Sequence, residues 1–154
     1  MTSVEIHRIS AVETYDLRAR VLRDGNLASV RTPDDDLPGA WHLGARRSGR
    51  LVGVASFYPQ PCPCAPDLEA VQLRFMAVDP PSQGGGVGRE LLDHAVRALR
   101  HGQVPLLWAN GRDTALGFYE RAGFSVVGEG FIHEPGLPHH LVTFDLSSEL
   151  TPHS

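Results

Sequence analysis

Apolar and polar residues alternate over Val4–Ile9, the two-residue period of a strand with one buried face. At Ser10 the period changes. Val12, Tyr15, Ala19 and Leu22 recur at helical spacing, and Ser10 with Glu13 has the form of a capping box. A helix is therefore predicted to about Arg23, stopping near Gly25. Asn26–Gly39 reads as loop or broken helix; its run Asp34-Asp35-Asp36 reads as a solvated loop, with the drawing-in of cationic substrates as the second reading. Trp41–Ala45 and Leu51–Tyr58 are strand-like runs joined by the hairpin signal Arg46–Arg50. After the irregular, proline-rich Pro59–Asp67, the run Ala70–Val78 predicts a strand buried on both faces.

A second helix is predicted from about Val87 to His101, with Val87, Leu91, Leu92, Ala95, Val96 and Leu99 on one stripe. Val104–Ala109 predicts a short buried strand. Asp113–Ala122 predicts a helix with Asp113 or Thr114 as its cap and Gly123 just past its end. Phe124–Val127 and His140–Leu146 are the last predicted strands, with Glu129–His139 as a loop between them. The order β-α-ββ-β-α-β-α-ββ is mixed α/β, without an internal repeat or linker. One domain over residues 1–148 and a frayed tail over 149–154 are expected.

Composition narrows the function classes. The chain has 154 residues, 42% apolar and 21% charged, and a net charge of −4. That length can bury a core, and that charge advertises neither a nucleic-acid nor an anionic-membrane surface. No apolar stretch approaches the ~18 residues of a membrane span, and Met1–Arg8 carries no secretory pattern, so a cytoplasmic location is expected. Cys62 and Cys64, one residue apart, are badly spaced for a mutual disulfide and read as structural rather than redox or metal-binding. The eight histidines form no His-x3-His pair, and the adjacent His139 and His140 point to opposite faces of a strand; no metal is expected.

Between the predicted strand Ala70–Val78 and the helix after it lies Asp79-Pro-Pro-Ser-Gln83-Gly-Gly-Gly-Val-Gly88-Arg89. A helix's first turn leaves N–H groups unpaired at the positive end of its dipole, and glycines let an anion come close. This is a phosphate-binding arrangement. It is not a Walker-type loop, since no Lys-Ser or Lys-Thr follows the glycines. Nor is it a dinucleotide fingerprint: counting G-x-G-x-x-G from Gly84 or Gly86 ends on Arg89 or Leu91.

The turn does fit Gln-x-x-Gly-x-Gly, through Gln83, Gly86 and Gly88. Together with Leu73–Val78 before it, the turn resembles the acetyl-coenzyme A signature of the GNAT superfamily of N-acetyltransferases. Leu107–Asn110 followed by Ala115–Phe124 resembles that family's second signature, and Phe131–His139 resembles the Gly-x-Pro-His ending of small bacterial members. The resemblance covers nearly the whole chain. It implies a mostly antiparallel central sheet flanked by helices, with the glycine-rich turn between the fourth strand and the next helix.

The resemblance also implies acetyl-coenzyme A as acyl donor, and direct attack of a neutral amine on its thioester with both substrates bound. Met76, Ala77 and Val78 match the strand whose backbone N–H groups hold the pantetheine. Gln83, Gly84, Gly85, Gly86, Val87, Gly88 and Arg89 match the pyrophosphate turn, while Asn110 and Phe118 match cofactor contacts. Tyr119 matches the general acid to the departing thiolate. The strand position where some members carry a basic glutamate holds Gln72 here, and an amide cannot accept that proton. Glu69 is the candidate base, with Glu134, His133, His139, His140 and a water chain as alternatives. The expected acceptor is a small-molecule or peptide amine, for a chain acting as monomer or homodimer; an acyl group longer than acetyl stays open. Two rival readings remain: a non-catalytic acetyl-coenzyme A sensor of the same fold, and a nucleotide-binding regulatory domain, which the failed spacings oppose.

Overall fold

The computed structural model describes residues 4–23, 25, 30–133 and 136–147. Its elements follow the predicted order: β1 (Glu5–Ile9), α1 (Ala11–Leu17), β2 (Trp41–Arg47), β3 (Arg50–Tyr58), β4 (Ala70–Val78), α2 (Val87–His101), β5 (Leu106–Arg112), α3 (Leu116–Arg121), β6 (Ser125–His133) and β7 (Leu137–Asp145). The strands form a seven-stranded sheet in the order β1-β2-β3-β4-β5-β7-β6. The pairs β1–β2, β2–β3, β5–β7 and β6–β7 are antiparallel. β4 and β5 are parallel, in the register Ala70↔Leu106, Val71↔Leu107 and Gln72↔Trp108. The mixed α/β class with a largely antiparallel sheet is thus the observed one.

The chain divides into two compact units, Met1–Pro59 with Leu73–Ala95, and Gln60–Gln72 with Val96–Ser154. In the first, the capping box forms as its spacing predicts: Glu13 N–H donates to Ser10 Oγ (3.3 Å) and Ser10 N–H to Glu13 Oε1 (2.8 Å). The helix does not stay α-helical to its end. It widens into a π-helix over Arg18–Leu22, with Arg23 as the closing residue. Leu17, Val54 and Ala77 form a core cluster there, joined by Ile9, Val21, Leu22 and Leu51. The hairpin signal resolves into a two-residue turn, Ser48-Gly49, both at positive φ, the backbone hand that matches strand twist.

The acidic run departs from expectation. Pro33–Asp36 is a 3₁₀ turn, and the Asp35 side chain is buried at 5% exposure against Arg18. Two counter-ions draw the run inward, because Asp34 pairs with Arg74 at 2.7 Å.

In the second unit, Cys62, Ala70, Leu106 and Trp108 form a cluster with Ala65 and Leu141. The Trp108 indole N–H donates to the Gln60 carbonyl (2.9 Å), fixing the proline-rich segment on its own unit. Neither Asp113 nor Thr114 caps a helix. A 3₁₀ turn, Asp113–Ala115, leads into α3, Arg112 stands at its N-cap without a side-chain bond, and Asp113 accepts instead from His140 Nδ1 (2.7 Å). The loop expected at Glu129–His139 is largely strand. β6 continues to His133 through a register shift between Val127 and Phe131, and β7 starts at Leu137. The expected tail, residues 149–154, lies outside the described residues. No helix among the described residues is long and apolar enough to cross a membrane.

Candidate active site

In the first unit the site residues sit on β4 and the turn after it. β4 is not a regular strand: Phe75 has φ 55°, a conformation that costs a bulky side chain about 1–3 kcal/mol and that clusters at functional sites. Its ring is held from several sides. The guanidinium of Arg18 lies 4.1 Å from the ring centre and that of Arg74 5.0 Å, and Tyr58 meets it edge-on at 6.5 Å. Met76 and Val78, half-buried, flank the buried Ala77. Nothing in the local sequence marks Phe75 for this conformation, and no sequence signal could have found it.

The turn follows directly. Pro80–Ser82 makes a 3₁₀ turn, Gly84 and Gly86 have φ 82° and 88°, and α2 starts at Val87. These glycines are required by conformation, since an L side chain at either would be strained. Gly84, Gly85 and Gly86 are exposed and Gly88 half-buried, so their backbone is open to a ligand. Gln83, the first residue of the signature, builds the turn with its side chain: Nε2 donates to the Val78 carbonyl (2.9 Å). Arg89 Nε donates to Asp93 Oδ1 (3.0 Å) one turn along α2.

A polar cluster that the sequence did not reveal lies in the same unit. Arg18 is fully buried. Its Nη1 donates to the Val30 carbonyl (2.9 Å) and to Asp35, and its Nη2 to Asp35, Ser56 Oγ (2.8 Å) and Tyr58 Oη (3.1 Å). Tyr58 donates to Asp35, and His42 Nδ1 is hydrogen-bonded to Ser56 Oγ (2.7 Å). Burial raises the Asp35 pKa, but the bonds from Arg18 and Tyr58 outweigh it and hold the carboxyl below its ordinary value. Burial, helped by the Arg18 charge and opposed by Asp35, keeps His42 below its ordinary value and so neutral.

In the second unit Tyr119 is buried on α3, edge-on to Phe118 (5.4 Å) and Phe124 (5.2 Å). Its ring packs close to Gly111, where a Cβ would come within 3.0 Å of Cε2. Burial pushes its phenol up to about 12, with the Arg112 charge pulling the other way. Phe118 and Asn110 are half-buried.

Of the candidate bases, Glu69 is exposed immediately before β4, and Gln72 is half-buried within it. His139 is buried with Nδ1 bonded to the Leu137 carbonyl (2.7 Å), and its ring stacks on Phe131. His140 is paired with Asp113, His133 is exposed, and Glu134 lies outside the described residues. Cys62 and Cys64 are free thiols with sulfurs 3.2 Å apart; burial pushes the Cys62 thiol up to about 11, well away from the reactive thiolate. Among the described residues no three His, Cys, Asp or Glu side chains gather into a metal-holding group.

Comparison with known proteins bears on the family and the fold. Residues 8–124 match the family model described as the acetyltransferase (GNAT) family. The chain is 32% identical over 142 residues to the N-acetyltransferase YitI of Bacillus subtilis (strain 168), covering 92% of this chain and 95% of that one. It is 36% identical over 91 residues to the N-alpha-acetyltransferase RimI of Mycobacterium tuberculosis, covering 59% of this chain and 56% of that one. Among solved structures, Escherichia coli YhbS, a GNAT family N-acetyltransferase in complex with CoA, shares the fold. Its TM-score is 0.74 at 20% identity, over 95% of this chain and 83% of that one. The sheet, the turn and these matches lead to one assignment: this chain belongs to the acetyltransferase (GNAT) family of acyltransferases.

Proposed function

We propose that this chain transfers an acetyl group from acetyl-coenzyme A to an amine, by direct attack of the neutral amine on the thioester with both substrates bound. The observation that carries the reading is the turn Gln83–Arg89. Exposed glycine backbone, two residues of it at positive φ, runs straight from β4 into the 15-residue α2. The unpaired N–H groups and positive dipole of that end suit a pyrophosphate. In this reading Gly84–Arg89 takes the pyrophosphate, and the N–H groups around Met76, Ala77 and Val78 take the pantetheine and polarise the thioester. Asn110 and Phe118 contact the cofactor. Tyr119 donates to the departing thiolate, and Glu69 receives the amine's proton through water. That YhbS was crystallised with CoA supports a coenzyme A donor.

Amine basicity bears on the acceptor. Holding a lysine-like amine of pKa ~10.4 neutral at pH 7 costs about 4.6 kcal/mol, whereas an α-amine of pKa ~7.7–8.0 costs only about 1 kcal/mol. With an amide at Gln72 and the candidate carboxylate exposed, an α-amine asks least of this site. RimI is named an N-alpha-acetyltransferase and Escherichia coli YjaB a peptidyl-lysine N-acetyltransferase, so both classes belong in the test. The experiment is a panel of peptides and small amines with acetyl-coenzyme A and longer acyl donors, read as free thiol released. Acetyl-coenzyme A at ~100-fold over its Kd should also stabilise the fold by about 2.7 kcal/mol, far more than NAD or ATP at equal concentration. Equal stabilisation by NAD, or no thiol release with any amine, would sink the proposal.

A further inference from the structure

Asp79 follows β4 directly and opens the glycine turn, and its side chain is only 3% exposed. A carboxylate so placed needs partners, and it draws them from two distant stretches of the first unit. Arg20, from the π-helical turns, donates Nη1 to Oδ1 at 3.0 Å; Arg50, opening β3, donates Nη2 to Oδ2 at 2.6 Å. The backbone is tied as well: Asp79 N–H donates to the Val52 carbonyl, and the Asp79 carbonyl accepts from Ser82 N–H, both at 2.8 Å. Ser82 Oγ in turn accepts from Arg47 Nη1 at 3.2 Å. The entrance to the turn is thus clamped by three arginines, whereas Gly84 and Gly86 have open space where a side chain would stand. A backbone cradle that must be ordered on binding spends part of its affinity on that ordering.

We propose that Asp79 is a positioning residue for the acyl donor: through Arg20 and Arg50 it holds the glycine turn in its anion-binding shape before the pyrophosphate arrives. The inference rests on the reading of that turn as the pyrophosphate seat. It makes a prediction opposite in sign to simple electrostatics. Removing a negative charge beside an anion site should by charge alone tighten coenzyme A binding. Loss of the clamp should weaken it.

The test is calorimetric titration of Asp79→Asn with coenzyme A. Arg20 keeps its bond to Asp16 (2.9 Å), and the two arginine side chains, 44% and 67% exposed, can be hydrated, so the fold should stand. The expected result is a Kd raised five- to twentyfold. With an accepted amine, KM for acetyl-coenzyme A should rise likewise, while kcat and the acceptor KM stay put, a split that general loosening would not give. A Kd equal to or tighter than wild type in folded Asp79→Asn overturns the inference. If that variant does not fold, Arg50→Ala decides: a clamp effect persists at 0.5 M salt, where the Debye length is only about 4 Å, and a charge effect vanishes. Gly88→Asp separates the two levels, because it places bulk and negative charge in the turn itself. Lost binding there with wild-type affinity in Asp79→Asn overturns only the positioning role; wild-type affinity in both overturns the pyrophosphate seat.

Discussion

Tyr119→Phe removes one hydroxyl and leaves the rest of the residue in place. The ring keeps its edge contacts with Phe118 and Phe124 and its seat on Gly111, so the fold should lose well under 1 kcal/mol. What the hydroxyl can do is set by its pKa. Burial pushes it up to about 12, while a thiol leaves at ~8.5. Full proton transfer to the thiolate is then uphill by roughly 5 kcal/mol. Tyr119 is therefore expected to act as a hydrogen-bond donor to charge developing on sulfur, with the proton completing its move later or from water. A hydrogen bond to a charged group contributes about 1.5–3 kcal/mol, which is roughly ten- to 150-fold in rate. The bond is made mainly in the transition state, so it should appear in kcat and not in ground-state affinity. The assay is single-turnover transfer on both forms, which is blind to product release, alongside calorimetric affinity for coenzyme A. The expected outcome is a rate lowered ten- to hundredfold with Kd within twofold of wild type. An unchanged single-turnover rate would refute the role and leave Tyr119 as a packing residue.

Three further predictions concern stability and the seat of Tyr119. Asp35→Asn leaves the buried Arg18 guanidinium without its counter-charge, and should destabilise by about 3–5 kcal/mol in urea denaturation at pH 7. The folded pKa of Asp35 is depressed, so its contribution is complete above ~3.9 and is lost as pH falls through the lower folded value. His42 is also depressed, so the unfolded chain takes up its proton first; stability should begin to fall below about pH 6.5, and His42→Gln should flatten that limb. A wild-type slope in His42→Gln would refute this assignment. Gly111→Ala puts a methyl within 3.0 Å of the Tyr119 ring, which must shift by a few tenths of an ångström. It should cost about 1 kcal/mol or more by melting and lower kcat with little change in coenzyme A affinity; wild-type kcat would show that the ring's placement is not critical.

What could be read in the sequence depended on how far apart the cooperating residues lie. The turn is local: Gln83 braces Val78 five residues back, Gly84 and Gly86 adopt the backbone that only glycine takes easily, and α2 has the predicted bounds Val87–His101. Spacing alone holds that information. The capping box at Ser10 was legible for the same reason. The acidic run was not, because Asp35 is buried by partners 17 and 23 residues away, Arg18 and Tyr58, and no window of the chain shows them together. Phe75 is a harder case: its left-handed backbone is held by two arginine faces and an aromatic edge, and a phenylalanine in a strand-like run predicts the opposite conformation. Asp79 joins the two kinds. Its place before the glycines is written in the turn, but its clamp is closed by Arg20 and Arg50, 59 and 29 residues away. On the proposed reading, a motif match identifies the backbone that would meet the phosphates and passes over the side chains that would hold it ready, and those side chains would set how much of the intrinsic affinity the turn delivers.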